Sequence, residues 1–165
     1  MMSKRQRNFF FPVIDRLFVL RLVVVVILCV VVFRYLLIPL RIRGQSMEPT
    51  YTDRSFAFCW RLHYVFSEIQ RFDVVAVRFA GRKVMLLKRV VALPGETVAF
   101  HRGVLFVNAK PLDEPYVVFP SDWELKERTV AAGHVYVIGD NRGTAMAAHR
   151  FGQVSVERIV GGVFP

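Results

Sequence analysis

A chain of 165 residues with 54% hydrophobic and 22% charged residues excludes disorder and has room for one domain with a modest core, or a smaller domain plus an anchor. Its net charge of +10 points to an acidic partner, either nucleic acid or anionic lipid. Two cysteines, Cys29 inside an apolar run and Cys59 well beyond it, make neither a disulfide framework nor a metal-ligand spacing, and no metal or cofactor is expected.

The first element in chain order is a basic tail, residues 1–16, carrying Lys4, Arg5, Arg7 and Arg16. The run LFVLRLVVVVILCVVVFRYLLIPL follows. Its uninterrupted apolar part, 22–33, is 12 residues long, short of the roughly 20 that a membrane-spanning helix needs. The span becomes sufficient if Arg21 and Arg34 snorkel toward the two interfaces, with Tyr35 beside Arg34. A cleavable leader would end in small residues, and this run ends in RYLLIPLRIRG. A buried soluble helix would show a polar side, and this one is apolar all round. The reading is a transmembrane anchor helix over 17–39. Its orientation stays open on charge alone, because Arg34, Arg41 and Arg43 follow the span as other cations precede it.

Beyond Pro39 the pattern turns to short apolar or alternating runs at 55–62, 73–79, 84–91, 97–100, 104–107, 135–138 and 159–164, all read as strands. Turn signals separate them, among them Ala80-Gly81, Pro94-Gly95, Arg102-Gly103, Asn108 to Pro111 and Ala132-Gly133. No long helical stripe follows the anchor. The expected architecture is mainly β, a single all-β domain over 40–165 with a closed or two-sheet arrangement, tethered by one N-terminal helix.

Within 84–91, VMLLKRVV, Lys88 and Arg89 interrupt an apolar strand. Alternate residues share a face, so Lys88 lies with Val84, Leu86 and Val90, opposite Met85, Leu87 and Val91. At least one of the two cations is therefore forced into apolar surroundings, and a desolvated lysine favours its neutral form. A neutral amine near Ser46, in RIRGQSMEPTY at 41–51, could take the hydroxyl proton and create a nucleophile. On these two features alone, a turn serine and a surface lysine remain the ordinary alternative.

The motifs carry more. SMEPT at 46–50, RFDVVAVRF at 71–79, KRVVALPGETV at 88–98, GVLFVNAKPLDEPYV at 103–117 and GHVYVIGDNR at 133–142 resemble, in order, the boxes of the type I signal peptidase family, and the anchor resembles its N-terminal anchor. The resemblance covers nearly all of 17–165 and is to the compact form of the family. It implies a signal-peptidase-like β fold and a membrane-bound serine endopeptidase that removes N-terminal signal peptides from exported preproteins. Substrates would bind in extended form with small side chains at the −1 and −3 positions, and the catalytic domain would lie on the exported side of a cell membrane. It implies Ser46 as nucleophile and backbone oxyanion donor, and Lys88 as general base. Gly44, Met47 and Pro49 would shape the site and its approach to lipid, with Gly44 where some members carry a second, hydroxyl donor. Arg89 and Asp140 would form a structural ion pair.

The last box departs from the family pattern. Where a serine, an aspartate, a serine and an arginine are usual, this chain has Ala145, Ala147, Ala148 and His149, while Asp140, Asn141, Arg142 and Gly152 still match. The supporting shell of the base has thus lost polar groups; Thr144 could replace them only through a register shift. An attenuated or catalytically silent relative that binds preproteins or acts in assembly is the alternative this raises. His63, His101, His134 and His149 read as surface or structural, Asp113, Glu114, Asp122 and Glu124 as solvated loop charges, and Trp60, Trp123 and most phenylalanines as core. A nucleic-acid-binding barrel does not fit, because many cations flank the anchor and no strand interleaves cations with exposed aromatics.

Overall fold

A computed structural model describes residues 14–80, 84–143, 145–149 and 152–164; Thr144 and most of the basic tail lie outside the described residues. The chain divides into two units, Met1–Leu37 and Ile38–Pro165. In the first, helix α1 (Arg16–Val31) is capped by Asp15, whose carboxylate accepts from the Phe18 N–H at 2.7 Å. It continues as a π-helical turn, Val32–Leu36. Together they form a 21-residue apolar helix with mean hydropathy 2.9, long enough to cross a bilayer. The sequence pattern carries helix to Pro39, whereas the structure runs Leu37–Arg41 as strand β1. Pro39 explains the change: it has no N–H to donate and pushes the residue before it into extended geometry.

Among its described residues the second unit is β, apart from the single-turn helix α2 (His63–Phe66) and two short 3₁₀ turns. After β1 come β2 (Phe56–Trp60), β3 (Val74–Ala80), β4 (Val84–Ala92), β5 (Thr97–His101) and β6 (Val104–Val107). Then follow β7 (Lys110–Pro111), β8 (Leu125–Thr129), β9 (His134–Ile138), β10 (Gly152–Ser155) and β11 (Ile159–Phe164). A seven-stranded sheet has the order β1-β2-β11-β3-β4-β9-β10, and a four-stranded sheet the order β7-β6-β5-β8. The two-sheet β expectation holds.

Three apolar clusters fill the domain. The largest joins Val91, Ala92, Tyr136 and Ile138 of the large sheet to Val98, Phe100, Leu105 and Val107 of the small one, with Trp123 and Val130. The second, Val75, Val77, Val90, Val135 and Val137, covers the opposite face of β3, β4 and β9. The third is Ile42, Met47, Tyr51 and Ala57. Strand β4 is therefore apolar on both faces at the centre of its sheet, between β3 and β9. Trp123 is core, as expected, but Trp60 is 39% exposed, and Phe56, Phe66, Phe72, Phe79, Phe119 and Phe164 are exposed too.

Candidate active site

Ser46 sits in the turn that follows β1. Gly44 enters that turn at φ +95°, a conformation that favours glycine, and its N–H donates to Asp53 Oδ1 at 2.8 Å. The next anchor is Met47, 1% exposed and seated in the third cluster. Its side chain is thus part of the core beneath the turn that carries Ser46. Pro49, after a cis Glu48–Pro49 bond, is exposed on the outside of the turn. The Asn141 N–H donates to the Ser46 carbonyl at 3.1 Å, tying the serine to the segment after β9.

Lys88 projects from the middle of β4, opposite Val75 of β3. It is 4% exposed, and its Nζ lies 3.0 Å from Ser46 Oγ, within hydrogen-bonding distance. Burial strips the amine of water and brings its pKa down from 10.5 to about 8; Asp140 opposes this and Arg142 adds to it. Lys88 also lines a cavity of about 250 Å³ with Val77, Leu86, Val137, His149, Gln153 and Val154. Phe79 and Arg158 complete the lining, so the wall is apolar on its valine and leucine side and polar at Lys88, His149, Gln153 and Arg158.

Gly139 closes the arrangement. A Cβ there would lie 2.2 Å from the Ser46 carbonyl oxygen and 3.1 Å from Lys88 Nζ, so only a bare Cα fits between serine and lysine. Next to it, Asp140 is fully buried and takes Arg89 in a fork, Nε to Oδ1 at 2.9 Å and Nη2 to Oδ2 at 2.6 Å. Thr50 Oγ1 donates to Asp140 Oδ2 at 2.5 Å, Arg89 Nη1 donates to the Phe72 carbonyl at 2.9 Å, and the guanidinium stacks 4.0 Å over the Tyr116 ring. Both cations of β4 are thus buried: Lys88 on one face with the second cluster, Arg89 on the other with its carboxylate.

One reading changes. Glu114 is not a solvated loop charge: its side chain is 10% exposed and accepts from Arg142 at 2.7 and 3.3 Å. Its partner lies 28 residues away in sequence, which no local pattern reveals. His149 is half-buried, packs edge-on against Trp123 with ring centroids 4.6 Å apart, and lines the Lys88 cavity. Burial, and then Lys88 and Arg142, hold its pKa below the usual histidine value. Ala145 and Ala147 are exposed and bring no polar side chain to the lysine. Among the described residues, no group of three His, Cys, Asp or Glu side chains is placed to hold a metal ion.

The family model described as signal peptidase, peptidase S26, matches residues 16–165. The chain is 35% identical to signal peptidase I of Bacillus caldolyticus over 136 residues, covering 74% of each. It is 33% identical to signal peptidase I V of Bacillus subtilis (strain 168) over 153 residues, covering 84% of this chain and 90% of that one. A solved signal peptidase I from Enterococcus faecalis V583 matches with TM-score 0.47 and 28% identity, over 58% of this chain and 97% of that one. A buried lysine against a turn serine, on a two-sheet β domain that follows an apolar helix, therefore stands in a chain that belongs to the signal peptidase family, peptidase S26.

Proposed function

We propose that Ser46 and Lys88 are the nucleophile and general base with which this serine endopeptidase removes signal peptides from exported preproteins. The observation that carries the reading is the 3.0 Å approach of Ser46 Oγ to a lysine amine that burial brings to a pKa of about 8. An amine that is neutral in mildly alkaline solution accepts the hydroxyl proton as Oγ attacks the scissile carbonyl. The tetrahedral oxyanion is stabilised by the Ser46 N–H. The lysine then returns the proton to the departing amine, leaving an acyl-serine. The mature protein leaves with that amine. A water molecule then gives its proton to Lys88 Nζ and attacks the acyl carbon. The ester bond to Oγ breaks as Lys88 returns the proton to Oγ, and the signal peptide departs with a free carboxylate.

The extended substrate lies along the cavity beside Lys88, where Gln153 and Val154 of edge strand β10 offer backbone for strand addition. The helix from Arg16 to Leu36 spans the membrane, the basic tail before it stays on the cytoplasmic side, and residues 40–165 form the peptidase domain on the exported side. Confining enzyme and substrate to one surface raises their effective concentration.

The test is cleavage of a preprotein with an A-x-A site by the purified full chain in detergent. Ser46→Ala and Lys88→Ala are each expected to abolish cleavage. Because the base works unprotonated, kcat/KM of the parent should climb with pH and level off above about 8. Parental rates from either variant would refute the pair.

A further inference from the structure

The ion pair between Glu114 and Arg142 takes no part in the chemistry above, yet every bond it makes leads toward the site. Arg142 is 2% exposed. Its Nε donates to the Gly139 carbonyl at 2.7 Å, and its two terminal nitrogens donate to the Glu114 carboxylate at 2.7 and 3.3 Å. Gly139 is the residue wedged against the Ser46 carbonyl and Lys88 Nζ. Glu114 also accepts from Tyr116 Oη at 2.6 Å, and the Tyr116 ring is the platform under the Arg89 guanidinium that grips Asp140. One carboxylate, on the segment that leaves the small sheet after β7, therefore braces both sides of the 139–142 segment. On one side it acts through Arg142 on Gly139; on the other it acts through Tyr116 and Arg89 on Asp140.

We propose that Glu114 is a positioning residue of the active site, holding Arg142 so that Gly139 keeps serine and lysine in reacting register. The proposal rests on the reading of Ser46 and Lys88 as the reacting pair. Glu114 touches neither of them; it acts through Arg142 and Tyr116. An anchoring role in the fold alone would cost stability and leave the chemistry unchanged. A positioning role predicts loss in the turnover step, because a displaced reacting group lowers kcat more than substrate binding. Glu114 also neutralises the guanidinium whose charge bears on Lys88. Removing the carboxylate leaves that cation unbalanced, and the amine then loses its proton more readily.

The experiment compares the full-length parent with Glu114→Gln, which keeps the side-chain shape and an acceptor oxygen, and with the double variant Glu114→Gln/Arg142→Gln. Ser46→Ala serves as the inactive control, and thermal melts establish folding. In Glu114→Gln, kcat is expected to fall by about 10- to 100-fold with KM within about two-fold of the parent. Its acid limb should move to lower pH. In the double variant, which lacks the cation as well, kcat should also fall, but the limb should sit above that of Glu114→Gln. A folded Glu114→Gln with parental kcat and an unmoved limb would overturn the proposal. So would failure of both variants to fold, which would assign the pair to stability. Cleavage by Ser46→Ala would instead overturn the reading of the reacting pair, so the two failures are distinguishable.

Discussion

At Gly139 the constraint is volume. The backbone carbonyl of Ser46 and the amine of Lys88 leave no space for a methyl group, with 2.2 Å to the first and 3.1 Å to the second. Gly139→Ala must push serine and lysine apart or displace the 139–142 segment. A displacement near 1 Å costs reacting groups on the order of 100-fold. Cleavage kinetics with a preprotein should show a loss of that order in a variant that still melts cooperatively; parental activity would mean that the segment yields. Single residues differ in how far sequence exposes them. Lys88 is legible because a charge inside VMLLKRVV contradicts its surroundings. Ser46 has no such contrast, since a serine in a Gly- and Pro-bearing turn is ordinary, and only the motif around it speaks. Glu114 and His149 are illegible for a third reason. One gains its meaning from a partner 28 residues away, the other from the cavity wall it joins.

Among elements, legibility follows burial. The seven strands read from the sequence include β3, β4, β9, β5 and β6, whose residues face apolar clusters. The four strands without a sequence signal are β1, β7, β8 and β10, and these are the four edges of the two sheets. An edge strand has a neighbour on one side only and does not need an alternating apolar pattern. Thus β8, LKERT, is mostly exposed, β7 contains Pro111, and β1 is hidden in the tail of the apolar run. Strand β4 shows what a central strand demands: both of its cations must be accommodated. Arg89 is matched by a fully buried Asp140 in a two-pronged fork. Arg89→Met would strand that carboxylate and should cost about 3–5 kcal/mol, whereas Arg89→Met with Asp140→Leu should recover most of the loss. Urea midpoints of the two variants decide it; equal destabilisation would show that the charges matter less than the space they fill.

For the whole molecule, fold class and the family were legible from collinear motifs, while the pairing of Arg142 with Glu114 was not, because the two lie 28 residues apart and meet only in the folded domain. Lys88 also sets a global property. The unfolded chain keeps its proton up to about pH 10.5 and the folded domain only up to about 8. Between those values unfolding takes up a proton, so stability rises with pH, and below about 8 the fold carries the full handicap of about 3 kcal/mol. Lys88→Met should therefore melt higher than the parent at pH 7, by an advantage that fades toward pH 10.5; a pH-independent difference in melting would show that the amine is not desolvated. Selection for durability alone would exchange this lysine for a methionine or leucine in one step. On the proposed reading of Ser46 and Lys88, that burden is what a base working near neutral pH imposes on its own fold, in a chain that belongs to the peptidase S26 family despite the alanines at 145 and 147.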